Sequence, residues 1–410
     1  MINLNSEIGR LKKVILHRPG REIELMKPED IQGALYSDIL NKEIAQTEYA
    51  GFENIIQHFI GEDNALYVEN LLADCLATGE KNNRNDLIET LCESNYLSLL
   101  KKYLLSVDDK ELLMRAVKGV RYKSIGLKTK EFFALFPLYN LYFTRDTAMA
   151  VNNAMVFSNM QYAIRQRERN IIKYIFEHHP NFKNENKISL ISKNPYASIA
   201  GLEGGDLHVL RHDLYLIGLH PRTNHAGVEA FINSRKGKKS RIITFELPSY
   251  PASFIHLDMV FTMINYNDCV VYAPLIFDKM QQHTSIIDID GEKVKYKSAP
   301  DIVKAIAMSG IDLKPICCGG EKELNASREQ WHSGANFFCL APGVIMGYGR
   351  NRYTMDELAK AGYNIVVSSD VDIEQKITNV SEKTVFTIEG NELSRGGGGC
   401  RCMTMPICRE

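Results

Sequence analysis

From Phe132 onwards, short apolar runs alternate with amphipathic stretches. The apolar runs are residues 148–157, 207–218, 269–277, 337–348 and 363–368. Their length and the turn residues that bound them are typical of strands. Between them, stretches such as 160–178 and 301–309 carry apolar residues at helical spacing. Strands that alternate with helices predict an α/β fold.

Residues 66–131 have a different character, because Leu, Lys, Glu and Asp recur there at helical spacing and strand signals are nearly absent. We therefore predict a helical insertion over residues 66–131. The remainder shows no fixed-period repeat, low-complexity segment or linker. Residues 1–410 are therefore expected to form one catalytic domain that contains this insertion. Ahead of the insertion, Leu11–Leu16 is predicted as a strand that runs into a turn.

Charge and cysteine content narrow the possible partners. The 49 basic and 50 acidic residues give a net charge of −1 without blocks of like charge, so we expect neither nucleic acid nor a membrane surface as partner. No apolar run approaches the roughly 18 residues of a membrane span, and the N-terminus lacks the apolar core of a signal peptide. We expect a cytoplasmic protein. The nine cysteines include no Cys-x-x-Cys pair, which speaks against a disulfide framework or a structural metal site.

Two acidic motifs are candidate sites. Phe143-Thr144-Arg145-Asp146 follows Asn140 at the end of an aromatic stretch, and charges so close to apolar sequence need partners. The alternative is a surface turn with a local ion pair. In Glu203-Gly204-Gly205-Asp206, two glycines allow a tight backbone path and the close approach of a ligand at the mouth of the next strand. An ordinary turn before a strand would look the same.

A third motif is His256-Leu257-Asp258, which we predict to lie in a strand. Residues i and i+2 of a strand share a face, so the imidazole and the carboxylate would point the same way. A histidine that moves protons near neutral pH needs a carboxylate beside it, and Asp258 is the obvious candidate on these grounds. The alternative is a structural histidine in the core.

The fourth motif combines four glycines, residues 396–399, with Cys400 and Cys402. Each glycine costs about 0.5–1 kcal/mol relative to alanine in an ordered element, so the run requires either mobility or close backbone contact. The alternative is a disordered tail, but the following Met-Thr-Met-Pro-Ile looks like a packed segment. Arg395 and Arg401, together with a cationic ligand, would favour the reactive thiolate form of a thiol here.

A thiol, a histidine and several carboxylates fit a planar cation as substrate. Carboxylates accept the forked donors of a guanidinium bidentately, and a thiolate can attack its central carbon. Cysteine proteases share the Cys and His, but a neutral peptide carbonyl requires an oxyanion hole and not an acidic pocket.

The chain resembles the arginine deiminase family over essentially its whole length. The motifs that carry the resemblance are Ser6-Glu7-Ile8-Gly9, Leu16-His17-Arg18-Pro19-Gly20, Phe143-Thr144-Arg145-Asp146, Glu203-Gly204-Gly205-Asp206, His256-Leu257-Asp258, Arg328-Glu329-Gln330-Trp331, Ala341-Pro342-Gly343 and Arg401-Cys402-Met403-Thr404-Met405-Pro406. The resemblance implies a pentein-type α/β propeller, in which ββαβ modules surround a pseudo-fivefold axis with the site in the central channel. It implies hydrolysis of free L-arginine to L-citrulline and ammonia, the first step of arginine catabolism, by a homodimer or homotetramer without metal or organic cofactor.

The resemblance also implies roles for individual residues. Cys402 would form a covalent amidino intermediate, His256 would act as general acid and base, and Glu203 rather than Asp258 would orient His256. Asp146 and Asp258 would clamp the guanidinium. Asn140 and Phe143 would line the pocket. Arg165 and Arg222 would bind the substrate carboxylate, and Arg395 would contribute to substrate binding from the glycine loop.

Some positions depart from the family pattern. Gly397 stands where many members have a loop arginine, so Arg395 or Arg401 would take its part. Cys400 is expected to be a spectator, the alternative being a disulfide that regulates Cys402. His220 and Met259 also differ from the usual residues. Competing functions are those of an agmatine deiminase or amidinotransferase, or of an inactive binding protein on the same fold. Arg165 and Arg222 favour a substrate with an α-carboxylate.

Overall fold

The computed structural model describes residues 1–93, 97–190, 200–278, 284–370 and 372–410. Its strands are β1 Leu11–Leu16, β2 Ala65–Tyr67, β3 Val120–Arg121, β4 Phe133–Leu135, β5 Ala148–Val151, β6 Ala154–Phe157, β7 Asn186–Ser189, β8 Leu207–Arg211, β9 Leu214–Leu219, β10 Ser240–Glu246, β11 Phe261–Met263, β12 Asp268–Val271, β13 Thr284–Asp290, β14 Lys293–Ala299, β15 Lys314–Cys317, β16 Phe338–Ala341, β17 Val344–Tyr348, β18 Asn364–Val367, β19 Thr384–Ile388 and β20 Met405–Arg409. Its α-helices are α1 Arg21–Glu24, α2 Lys42–Ile60, α3 Val68–Ala77, α4 Lys81–Cys92, α5 Ser98–Ser106, α6 Asp109–Lys118, α7 Ala163–His178, α8 His225–Arg235, α9 Ala273–Ile276, α10 Ile302–Ala307, α11 Glu323–Trp331, α12 Arg352–Lys360 and α13 Ile373–Thr378.

One connection pattern recurs in five sheets. An antiparallel pair of strands is followed by helix and then by a strand that pairs in parallel with the second member of the pair. The pairs and their parallel strands are β5–β6 with β7, β8–β9 with β10, β11–β12 with β15, β16–β17 with β19, and β20–β1 with β2. Parallel pairs require such crossovers. The predicted ββαβ modules are confirmed.

The module built on β20 and β1 joins distant parts of the chain. Ile15 of β1 pairs with Met405 of β20 in an antiparallel ladder, and Val14 pairs with Ala65 of β2 in a parallel one. The segment just before β20 is therefore anchored to the start of the chain.

Helices α3 to α6 lie within residues 66–131, of which 94–96 fall outside the described residues. Leu87 and Leu91 of α4 belong to one hydrophobic cluster with Ile171 and Ile175 of α7. These helices are therefore held to the module that contains α7 by apolar contact. Among the described helices, none is long and apolar enough to span a bilayer.

Two predictions of strand structure were wrong. Leu257–Met259 forms a 3-10 turn, and strand β11 begins only at Phe261. The reason is that the N–H of Leu257 donates to Asp206 Oδ1 (2.9 Å) and is thereby withdrawn from any strand ladder. Residues 269–277 leave β12 at Val271 and enter α9, where Pro274 occupies the first turn that tolerates proline.

Candidate active site

Each of the five modules places a polar side chain immediately before its first strand. These side chains belong to Asp146 before β5, Glu203 before β8, His256 and Asp258 before β11, Asn336 before β16 and Cys402 before β20. All of them are buried. Backbone hydrogen bonds connect neighbouring segments, from Arg145 N to Cys402 O (3.1 Å) and from Asp258 N to Gly205 O (3.3 Å). The repeated module thus gathers residues that are far apart in the sequence.

The two glycines between Glu203 and Asp206 make this convergence possible. A Cβ on Gly204 would lie 2.0 Å from the carbonyl oxygen of Arg145, and one on Gly205 would lie 2.5 Å from Nδ1 of His256. Neither position leaves room for a side chain. The predicted tight backbone path is confirmed, and the groups that approach the two glycines belong to the chain itself. The close approach of a ligand stays a prediction.

His256 lies between carboxylates. Its Nε2 is 2.8 Å from Oε2 of Glu203, and its Nδ1 is 3.5 Å from Oδ1 of Asp146. Burial disfavours a charged ring, but Asp146, Asp206 and Glu203 outweigh it and raise the pKa of His256 to about 9. The imidazole is therefore protonated at neutral pH. Glu203, not Asp258, is the carboxylate that hydrogen-bonds to it.

The Cys402 thiol faces Asp258 and Asn336. Its S–H donates to Asp258 Oδ2 (3.6 Å), and Asn336 Nδ2 donates to the sulfur (3.2 Å). Burial, together with the charges of Asp258 and Asp146, raises the pKa of the Cys402 thiol. Arg401 lowers this pKa but is outweighed. The expectation that Arg395, Arg401 and a cationic ligand together favour the thiolate includes the ligand and stays a prediction.

Arg401 hydrogen-bonds to the carboxylate beside the thiol. Its guanidinium donates to Asp258 Oδ2 (2.8 Å), Glu7 Oε1 (3.1 Å) and the carbonyl oxygen of Leu207 (2.8 Å). Even with this cation beside it, burial raises the pKa of Asp258. Arg401 therefore holds Asp258 in place.

Asp146 is held by an arginine in the same way. Arg165 donates to Asp146 Oδ2 (2.5 Å), Glu168 Oε2 (2.8 Å) and the carbonyl oxygens of Asn140 and Phe143 (both 3.3 Å). Burial opposes ionisation of Asp146, but His256 and Arg165 outweigh it and lower its pKa. Asp146 is therefore a carboxylate at neutral pH.

Three buried polar atoms in the site have no hydrogen-bond partner among the described residues. They are Oδ1 of Asp146, Oδ1 of Asp258 and Nδ1 of His256. Most buried polar atoms in proteins are paired, because an unpaired one costs about 1–3 kcal/mol. Two carboxylate oxygens are thus available to a ligand that carries several N–H donors.

Two connected cavities lead to these residues. The inner one, beside Cys402, encloses about 10 Å³, close to the ~10–15 Å³ that one water molecule requires. The outer one measures about 450 Å³. Leu35, Arg222, Ile255 and Gly397 line both. Any ligand larger than a water must therefore displace part of the inner lining.

The glycine run forms one wall of the inner cavity. A Cβ on Gly396 would lie 1.9 Å from the Tyr142 hydroxyl, and one on Gly398 would lie 2.5 Å from the Phe143 ring. Gly397 adopts a left-handed φ of +89°. The run requires close contact, and the disordered-tail alternative is wrong. Cys400 is buried, and burial alone raises the pKa of its thiol.

Comparison with known proteins agrees with this geometry. The sequence model of the family described as arginine deiminase matches residues 33–409. The chain is 33% identical over 430 residues to the arginine deiminase of Listeria monocytogenes serotype 4a strain HCC23, an alignment that covers 100% of this chain and 98% of the relative. It is 31% identical to that of Staphylococcus haemolyticus strain JCSC1435, with the same coverage. The chain belongs to the arginine deiminase family.

Solved structures extend the comparison to the fold. The N-terminal domain of ArgZ, an arginine dihydrolase from cyanobacteria, superposes with a TM-score of 0.52 at 13% identity, covering 97% of each chain. SxtG, an amidinotransferase from Microseira wollei, gives a TM-score of 0.52 at 12% identity, covering 100% of this chain and 97% of that one. Both have the pentein fold, so the predicted fold class of this arginine deiminase family member is confirmed.

Not every predicted residue of this family member reaches the pocket. Asn140, Phe143, Arg165 and Arg222 line the inner cavity with Asp146 and Cys402. Arg395 does not, because its side chain is 46% exposed and pairs with Asp38 at 3.0 Å.

Sequence reasoning missed two further residues near the site. Glu168 stands three positions after Arg165 on α7, a spacing that could have indicated their ion pair. Asn336 accepts the backbone N–H groups of Arg401 and Cys402, and no local pattern marks it.

Proposed function

We propose that this chain is an arginine deiminase that hydrolyses free L-arginine to L-citrulline and ammonia. The observation that carries the proposal is a pair of buried carboxylate oxygens without hydrogen bonds. One belongs to Asp146, which lines the cavity beside Cys402, and the other to Asp258, whose second oxygen accepts from the Cys402 thiol. A guanidinium supplies planar N–H donors for both oxygens. A substrate with fewer N–H donors would leave at least one of these two buried oxygens without a hydrogen bond.

The bound cation would also activate the nucleophile. Burial and the nearby charges of Asp258 and Asp146 raise the pKa of the Cys402 thiol. A guanidinium between the two carboxylates neutralises these charges and favours the thiolate. Loss of the thiol proton is therefore coupled to binding, and the sulfur becomes nucleophilic only when its target is in place.

The first half of the reaction forms a covalent intermediate. The thiolate attacks the guanidinium carbon and a C–S bond forms. Protonated His256 then donates its proton to the departing nitrogen, the C–N bond breaks, and ammonia leaves. The raised pKa of His256 keeps the required proton on the ring at neutral pH.

The second half hydrolyses that intermediate. Neutral His256 removes a proton from a water molecule, whose oxygen attacks the same carbon. The C–S bond then breaks, the sulfur leaves as thiolate, and citrulline is released. Glu203 hydrogen-bonds to Nε2 of His256 (2.8 Å), which leaves Nδ1 to act on both the ammonia and the water.

Arg222 is our candidate for binding the substrate α-carboxylate. It is buried, lines both cavities and lies over the Tyr162 ring at 5.2 Å. Arg165 was also predicted to bind that carboxylate, and this role stays a prediction, since its described contacts are with Asp146, Glu168 and backbone oxygens. Arg222 Nη1 also lies 3.8 Å from Glu203 Oε2, and agmatine, which lacks the carboxylate, would leave Arg222 with Glu203 as its described anionic partner.

The test compares arginine with agmatine. We expect citrulline and ammonia from arginine, and a kcat/KM for agmatine at least about 100-fold lower, because a buried ion pair with Arg222 would be lost. Arg222→Lys should reduce this preference, while Arg121→Lys, on the surface, should leave it unchanged. Turnover of agmatine alone, or transfer of the amidino group to an added amine without ammonia release, would replace the proposal with one of the competing activities.

Two broader expectations are carried forward as proposals. The resemblance supports a homodimer or homotetramer, which light scattering on the purified chain would test. It also supports a cytoplasmic location, which fractionation of the producing cell would test.

A further inference from the structure

A separate cavity, of about 400 Å³, lies between the end of α11 and the start of α12. Its lining is Arg328, Glu329, His332, Arg350, Asn351, Arg352, Tyr353 and Asp356. It shares none of these residues with the two cavities at the active site. It is therefore a separate place at which a small molecule could bind.

The cavity is rich in positive charge without matching acids. Among the described residues, no carboxylate lies within 4.0 Å of the guanidinium of Arg328, Arg350 or Arg352. Glu329 lies in the lining, but its carboxylate oxygens are engaged by the backbone N–H groups of Tyr353 and Thr354 (both 2.8 Å) at the start of α12 and do not pair with these arginines. That leaves Asp356, which is exposed, as the other acid in the lining.

The pKa of His332 reflects the positive charge of this cavity. Burial and the charges of Arg350, Arg328 and Arg395 lower the pKa of His332 to about 4. The ring is therefore neutral, so its Nε2 can accept from Arg350 Nη2 (3.3 Å). Burial, the largest cause, disfavours any charge, but the charges of the arginines, which also lower this pKa, favour an anion.

Arg350 connects the cavity to the loop that leads to Cys402. Its Nη1 donates to the carbonyl oxygens of Gly390 (3.3 Å) and Asn391 (3.2 Å) and to Oγ of Ser394 (2.7 Å). Ser394 lies in the 3-10 turn Leu393–Gly396, at the start of the glycine run. An anion that engages Arg350 would thus act on the segment that carries one wall of the active site.

We propose that this cavity binds a phosphate-class oxyanion, and that the bound anion orders residues 390–396 through Arg350. Guanidinium groups match phosphate oxygens bidentately, and three of them provide for a dianion. The ligand is either inorganic phosphate or the phosphoryl group of a small metabolite. In the second case Tyr353, half exposed at the rim, would contact the remainder.

Calorimetric titration of the full chain with inorganic phosphate and with adenosine monophosphate tests the proposal, against sodium chloride at equal ionic strength. We expect saturable binding that Arg328→Gln and Arg352→Gln each weaken at least about tenfold, since a charge-assisted hydrogen bond is worth about 1.5–3 kcal/mol. Lys360→Gln removes a charge from the other end of α12 and should bind like the wild type. Tighter binding of the nucleotide, lost in Tyr353→Ala, would indicate the metabolite.

Hydrogen exchange tests the connection to the loop. Phosphate should slow exchange at residues 390–396 in the wild type and not in Arg350→Gln. No saturable binding beyond that seen with chloride, or equal binding by the Arg328→Gln and Lys360→Gln variants, would overturn the proposal. Because these readouts do not involve arginine turnover, they stand or fall separately from the proposed activity.

Discussion

Cys400 and Cys402 illustrate how two identical side chains two positions apart differ in chemistry. Cys402 contacts a carboxylate and an amide in the cavity, whereas the raised pKa of Cys400 has burial as its cause. We predict that Cys402→Ala abolishes citrulline release and that Cys400→Ala retains most of it. Mass spectrometry of the protein mixed with arginine should find a covalent adduct that is absent from Cys402→Ala. The reverse pattern would mean that the nucleophile is misplaced.

The charge on His256 gives a second test at the residue scale. Because Asp146, Asp206 and Glu203 raise its pKa, the ring is cationic below about pH 9 and loses its proton as the pH rises through that value. Glu203→Gln keeps the size of the side chain and removes its charge, so the midpoint should move to lower pH. Imidazole NMR signals followed from pH 6 to 10 would measure both midpoints, with Glu246→Gln as surface control. An unchanged midpoint in Glu203→Gln would contradict the assignment.

At the residue scale, much of the site could be predicted from the sequence. The information came from family motifs and not from the spacing of residue types. Spacing alone indicated Asp258 as the partner of His256, and it did not decide whether Cys400 or Cys402 is the nucleophile. The resemblance selected Glu203 and Cys402. Asn336 could not have been found, because its contact with Cys402 depends on the meeting of two modules.

Among the elements, the glycine run before Cys402 has the sharpest steric requirement. A methyl group on Gly398 would lie 2.5 Å from the Phe143 ring, whereas one on Gly397 would have Leu35 O at 3.8 Å as its nearest neighbour. Gly398→Ala should therefore displace the cavity wall and lower kcat at least about tenfold, since small misplacements in a site cost that much or more. Gly397→Ala is the matched control, with a backbone cost of about 1–2 kcal/mol and a smaller loss of activity.

A second experiment, hydrogen exchange, tests whether the glycine run moves when arginine binds. The inner cavity is no larger than about one water molecule, so arginine can reach Cys402 only if its lining shifts. We expect weak protection of residues 395–401 from hydrogen exchange that increases with arginine. Unchanged protection would place the movement elsewhere in the lining, for example at Phe143.

The error at His256–Asp258 shows why elements near the site were harder to predict. Their apolar neighbours favour a strand, but Asp206 captures the N–H of Leu257 and forces a turn. This interaction joins residues from two modules. A local pattern contains no information about such a contact.

For the whole molecule, the fivefold repetition of the module is visible in strand pairing and not in the sequence. Alternating strands and helices predicted an α/β fold correctly. The number of modules and their closure by β1 and β20 required the resemblance, because pairing between the first and last strands leaves no periodic trace.

Buried histidine cations give a prediction about global stability. His17, between Glu69 and Glu22, has its pKa raised to about 10, and His256 has its own raised to about 9. Both keep their protons in the folded chain while the unfolded chain loses them above pH 6.5. From about pH 6.5 to 8.5 the free energy of unfolding should therefore fall, by about 1.4 kcal/mol per pH unit for each histidine.

Urea unfolding across that pH range would measure the slope. His17→Gln should lower stability near pH 6.5 and flatten the slope, whereas His58→Gln, near the surface, should keep the wild-type slope. A stability that rises with pH would contradict the assigned charges.

The pairing of β20 with β1 determines when the active site can form during synthesis. During synthesis, the four modules that carry Asp146, Glu203, His256 and Asn336 leave the ribosome before the strand that follows Cys402. The module that starts at β20 stays incomplete until that strand joins β1, even though β1 emerged first. The thiol and its target pocket therefore come together only after β20 has emerged, and a nascent chain that still lacks β20 has an incomplete site.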